Sequence, residues 1–166
     1  MRYIGLDLST KTGFVALDSL GNVIEAKEII CESKDAAGIS RFTQSVWNEI
    51  ETNDTIALEG FSYGSKGRGV DFQYGVGWII RTKLFEWGYR GIEPAPSQVK
   101  KFAGAKGNAN KNIVMREAYK RWGFEHDSDN VVDAYILAEM CRLYCVDGDM
   151  PKFQREILET VRKLGE

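Results

Sequence analysis

Three short apolar runs in this chain close on, or around, a carboxylate. Asp7 follows Tyr3-Ile4-Gly5-Leu6, Glu59 follows Ile56-Ala57-Leu58, and Asp133 lies between Val131-Val132 and Ala134-Tyr135. Runs of this kind belong in a core, yet an unpaired charge inside one is expensive to bury. A fold that satisfies both demands brings the carboxylates out at element ends, where they can share a pocket. Divalent cations with a preference for oxygen neutralise such groups. The chemistry expected of the chain is therefore metal-dependent phosphoryl transfer or phosphodiester hydrolysis, in which two metals can clamp the attacking and leaving oxygens.

At 166 residues the chain suffices for one domain with a sizeable core and is too short for two of ordinary size. Its start reads directly into a strand rather than a signal peptide, and no apolar run approaches bilayer-spanning length. The cytoplasm is the expected location, and no membrane partner is expected. Cys31, Cys141 and Cys145 do not make a disulfide framework. With His126 as the sole histidine, they read as structural thiols rather than zinc ligands.

The net charge of −2 conceals an asymmetry. Between Gly64 and Arg121 stand twelve basic residues against four acidic ones, so this stretch carries +8 and the remainder −10. A basic face that follows phosphates beside an acidic metal site has this distribution. A set of solvated helix faces has it as well.

Along the chain, residues 2–8, 13–18 and 23–30 read as strands of an antiparallel meander. Ile39, Phe42, Val46, Trp47 and Ile50 recur at helical spacing and predict a helix over 37–52. A fourth strand is expected over 55–59, and a glycine-rich loop carrying Lys66 and Arg68 leads into a helix over 70–87. A fifth strand over 89–93 precedes a short helix over 96–102, with Ser97 as its expected N-cap. Helices over 110–122, 128–145 and 151–164 complete the reading, the last one amphipathic. Residues 1–148 form the expected domain, with 149–166 a terminal helix packed on it or on a partner subunit. The fold class is α/β, with a five-stranded mixed sheet of three antiparallel and two parallel strands flanked by helices.

Asp129 and Asp133 stand four apart at the start of one helix, on one face and near its positive end. Asp129 can equally be an ordinary neighbour of the N-cap. At this point four segments in order resemble the RuvC family of Holliday-junction resolvases, in particular its smaller phage and virus-type members. They are GLDLSTKTGFVAL, ALEGF, APSQVKKFAGAKGNANK and DNVVDAYILA, and together they cover the chain to about Cys145. The resemblance implies a ribonuclease H-like fold and a homodimeric, magnesium-dependent endonuclease that nicks four-way junctions symmetrically, leaving 5′-phosphates. It also implies two Mg2+ per site, with Mn2+ as a substitute.

By resemblance, Asp7, Glu59 and Asp133 are metal ligands. The fourth ligand is expected to be Asp129, with Asp127, Asn130 and His126 as alternatives; an Asn130 amide could instead contact a metal-bound water. Lys111 is the expected stabiliser of charge on the phosphate. Lys66, Arg68, Lys100, Lys101 and Lys106 are expected DNA contacts. Phe61 and Tyr63 read either as wedges at an open junction or as packing residues. The glycine-rich loop lacks the ending of a nucleotide P-loop, so no nucleotide cofactor is expected. The apolar helix over 70–87, with Gly75 and Gly77, is the expected dimer contact. A ribonuclease H-like nuclease acting on RNA and a catalytically inactive junction-binding module are the alternative readings.

Overall fold

The structure is a computed structural model and describes residues 1–62, 69–146 and 148–165. Three strands, β1 (Tyr3–Asp7), β2 (Lys11–Leu17) and β3 (Val23–Ile30), form the expected antiparallel meander. Helix α1 (Ala36–Asn48) starts where the Asp35 carboxylate accepts the Gly38 N–H. It ends four residues before the expected boundary. The chain then turns through Asn53 at φ 76°, and the buried Asp54 carboxylate takes the Glu51 N–H and pairs with Arg2 at 2.7 Å. That clamp sets β4 (Thr55–Leu58) parallel to β1, with Gly5 opposite Ala57.

Helix α2 (Val70–Glu86), β5 (Arg90–Glu93), α3 (Pro96–Phe102), α4 (Lys111–Trp122) and α5 (Asp129–Cys145) follow, with β5 parallel to β4. Pro96 opens α3 and the Gln98 side chain accepts the Ala95 N–H, so Ser97 is not the N-cap. The C-terminal segment departs from expectation. Helix α6 spans only Lys152–Leu158, and the chain returns as β6 (Arg162–Lys163), antiparallel to β5. The sheet therefore has six strands rather than five, in the order β3-β2-β1-β4-β5-β6. The free edge of β5 supplies the reason: the Leu164 N–H donates to the Gly91 carbonyl, and Leu164 packs with the core.

Strand alternation divides the core. Ile4, Leu6, Ile56 and Leu58 pack with Phe42 and Val46 of α1 and with Phe72, Val76, Ile80 and Leu84 of α2. Tyr3 and Ala57 point the other way, into a cluster with Val99, Val114, Ile136 and Leu137 from α3, α4 and α5. Helix α5 is buried nearly all round and lies directly on the sheet. A Cβ on Gly5 would fall 1.9 Å from the Ala134 carbonyl oxygen, and one on Gly13 would fall 1.9 Å from that of Asn130. Among the described residues no helix is long and apolar enough to cross a membrane.

Candidate active site

The same alternation that buries Ile4 and Leu6 on the α2 side sends Tyr3, Gly5 and Asp7 toward α5. Glu59 continues the alternate set of β4, after Ala57, and its N–H donates to the Leu6 carbonyl at 3.2 Å. Two neighbouring parallel strands thus deliver carboxylates side by side at their C-terminal ends, where sites in α/β sheets concentrate. Because Gly5 and Gly13 let α5 rest on the sheet at Ala134 and Asn130, Asp133 and Asp129 arrive over the same ends. Ser128 caps α5, its hydroxyl accepting the Val131 N–H.

Charge links these groups: Asp133 and Asp129 act on Asp7, Asp129 acts on Asp133, and Asp7 and Asp133 act on Glu59. Burial, and then the charge of Asp133, raises Asp7 from near 3.8 to about 7, while Lys111 opposes the rise. Burial raises Asp133 to about 6, again against Lys111 and with Asp129 adding to it. Glu59 stands well above the ordinary carboxyl range through burial and then through Asp7 and Asp133; Lys100 and Lys111 pull it down. Lys111 lies against the enclosed Oδ2 of Asp129, and that contact together with Asp133 and Asp7 holds its ammonium above its usual pKa. Lys100 donates to the Ala109 carbonyl at 2.9 Å, which anchors the loop between α3 and α4.

Among the described residues, no three acidic, histidine or cysteine side chains form a ready-made metal cage. Donor chemistry nevertheless matches a hard divalent cation: carboxylates linked by their charges, with a lysine ammonium already drawn toward them. The fit lies in the donor set, and the side chains would have to draw together to complete it.

Of the four candidates for the last acidic position, the structure brings Asp129 to the group. His126 and Asp127 line a separate cleft with Tyr119 and Arg116, and His126 Nδ1 accepts the Ser128 N–H. The Asn130 amide is engaged by Glu28, to which it donates at 3.2 Å. Lys101 and Lys106 line two adjoining clefts that meet at Gly104 and Ala105. Phe61 is partly buried among side chains of α2. Its ring stacks on Tyr74 at 4.8 Å, touches Trp78, and lies 3.9 Å beneath the Arg81 guanidinium. Tyr63, Lys66 and Arg68 lie outside the described residues. Cys141 is buried, whereas Cys145, at the end of α5, is exposed rather than a core thiol.

Two residues near the site escaped the sequence reading. Glu28 on β3 accepts from the Ser128 hydroxyl and from Asn130, and these bonds hold its carboxyl below the usual range. Arg81 on α2 donates to the Glu59 carbonyl at 2.8 Å. Neither carries a local signal: one reads as an edge-strand glutamate, the other as part of the basic stretch.

The meander and the two parallel strands beside it, flanked by helices, make up a ribonuclease H-like α/β fold. Among solved structures the chain is similar to RuvC from Thermus thermophilus, with a TM-score of 0.65 at 16% identity, covering 99% of this chain and 100% of that one. It is also similar to T. thermophilus RuvC in complex with a Holliday junction substrate, with a TM-score of 0.70 at 16% identity and 99% of both chains covered. No family model and no curated protein matches the sequence. At this identity the likeness establishes the fold.

Proposed function

We propose that the protein is a structure-selective DNA endonuclease that resolves Holliday junctions and related branched DNA by paired symmetric nicks leaving 5′-phosphates. The observation that carries this reading is the placement of Asp7 and Glu59 on adjacent parallel strand ends beneath Asp129 and Asp133, with Lys111 among them. The resolvase fold of the similar structures supports it. Asp7, Glu59, Asp129 and Asp133 would hold Mg2+, two ions per site, with Mn2+ as a substitute. A bound cation would supply an activated water and neutralise charge on the phosphate.

The chain's own residues do the rest. Lys111 places a positive charge at the carboxylates, where a phosphate's developing charge would be stabilised. Lys100 holds the α3–α4 loop by its carbonyl, and Lys101 and Lys106 stand on the flanking clefts to meet backbone phosphates. Paired nicks require two sites related by symmetry. The outer face of α2 exposes Trp78 (56%) and Phe85 (70%) beside a cleft of about 420 Å³ walled by Phe61, Trp78 and Phe85. A homodimer formed through this face, acting in the cytoplasm, completes the reading.

The test is nicking of a labelled four-way junction and of its matching linear duplex, with Mg2+ or EDTA, by wild type, Asp7→Asn and Lys111→Met. Symmetric nicks on the junction alone, lost in EDTA and in both variants while junction binding persists, are expected. Binding without product in Mg2+ or Mn2+ identifies an inactive binding module instead. Cleavage of structured RNA in preference to the junction identifies an RNA nuclease.

A further inference from the structure

Arg81 is only 8% exposed, on the face of α2 that packs against the sheet. Burying a guanidinium and a carboxylate together is seldom the most stable choice, since apolar residues of similar volume often serve equally well. Its bonds indicate what the charge accomplishes. Nε pairs with the Glu93 carboxylate at the end of β5, Nη1 donates to the Gly77 carbonyl at 3.1 Å, and Nη2 donates to the Glu59 carbonyl at 2.8 Å.

Glu59 lies one residue past the end of β4. Its N–H is held by the Leu6 carbonyl, and the next N–H, of Gly60, donates to the Pro94 carbonyl at 2.8 Å. The Glu59 carbonyl, on the same peptide as the Gly60 N–H, accepts from Arg81. Arg81 also covers the Phe61 ring, two residues further on. One planar, rigid fork thus joins the ends of β4 and β5 to α2, a geometry that lysine cannot reproduce.

We propose that Arg81, oriented by Glu93, is a positioning residue for Glu59: it fixes the Glu59 peptide so that the carboxylate faces Asp7 and Asp133. This rests on the reading of those carboxylates as the cation site. Partners that orient such ligands typically influence affinity or activity by 10–100-fold.

Two variants test it. Arg81→Met combined with Glu93→Gln removes both charges, so that no carboxylate is stranded; Arg81→Lys keeps the charge beside Glu93 but loses the fork. Melting temperature, junction binding in EDTA, Mn2+ affinity by electron paramagnetic resonance, and nicking rate are measured for each. Unchanged junction binding with Mn2+ affinity and nicking both reduced about 10–100-fold is expected. Arg81→Lys should fall between wild type and the double variant. If the double variant does not fold, Arg81→Lys decides alone. Either variant, folded, with wild-type Mn2+ affinity and nicking overturns the proposal while leaving the nuclease reading intact. Wild-type protein that binds no Mn2+ overturns both.

Discussion

Replacing Asp7 by asparagine should stabilise the metal-free protein while abolishing its chemistry. A carboxyl whose folded pKa stands above its unfolded value holds its proton more tightly when folded. The contribution of Asp7 to stability is then greatest below about pH 4, where both states are protonated, and is lost as pH climbs through about 7. A rise from 3.8 to about 7, at about 1.4 kcal/mol per tenfold change in proton affinity, corresponds to about 4 kcal/mol against the ionised folded state. Burial is the largest part of that cost and the charge of Asp133 comes next, so removing the Asp7 charge should recover about 2–4 kcal/mol at pH 8. For a chain of this size that is roughly 5–15 °C in melting temperature. The assay is circular-dichroism melting of wild type and Asp7→Asn in EDTA across pH 4–8. Wild type should lose stability with rising pH while the variant's slope flattens. Saturating Mg2+ should narrow or reverse the difference, because a ligand at a hundred times its dissociation constant contributes about 2.7 kcal/mol to the folded state that binds it. Equal slopes in EDTA, or a less stable Asp7→Asn at pH 8, would refute the claim that these carboxylates share a buried field.

Other outcomes follow from packing and surface. Gly5→Ala should be disabling, by roughly 3 kcal/mol or more, because its Cβ would fall 1.9 Å from the Ala134 carbonyl oxygen and 2.6 Å from the Ala138 nitrogen; equilibrium urea unfolding measures the loss, and a near-native midpoint would contradict the direct seating of α5 on β1. Trp78→Glu with Phe85→Glu should leave the fold within about 1 kcal/mol of wild type, since both side chains are largely exposed. Light scattering should then report a monomer, and nicking should no longer be paired between opposing strands; a persistent dimer would place the subunit contact elsewhere.

The legibility of the site in the sequence was uneven, and individual residues show why. Asp7, Glu59 and Asp133 stood out because each interrupts an apolar run, a local contradiction that only a shared site resolves. Asp129 could be singled out by its helical spacing from Asp133, but not separated from Asp127, His126 and Asn130. That choice depended on where α5 begins and on Glu28, 102 residues from Asn130 along the chain, taking the Asn130 amide. That Tyr74, Trp78 and Arg81 surround the Phe61 ring is not written in the residues beside it, because all three lie on a helix further along the chain. At the C-terminus, amphipathic spacing predicts a helix through residue 164. Pairing with a distant strand edge ended that helix at Leu158.

The sequence alone determined the order of the elements through α5, their alternating faces and the acidic residues that those faces cannot hide. These follow from short-range periodicity and the cost of burying charge, both of which are written in neighbouring residues. Tertiary structure alone decided that α5 lies on Gly5 and Gly13, that Lys111 joins the carboxylates, and that a sixth strand closes the β5 edge. It also decided that Arg81 holds the Glu59 carbonyl. Each of these pairs groups remote along the chain, and its energy exists only once the fold has brought both partners together.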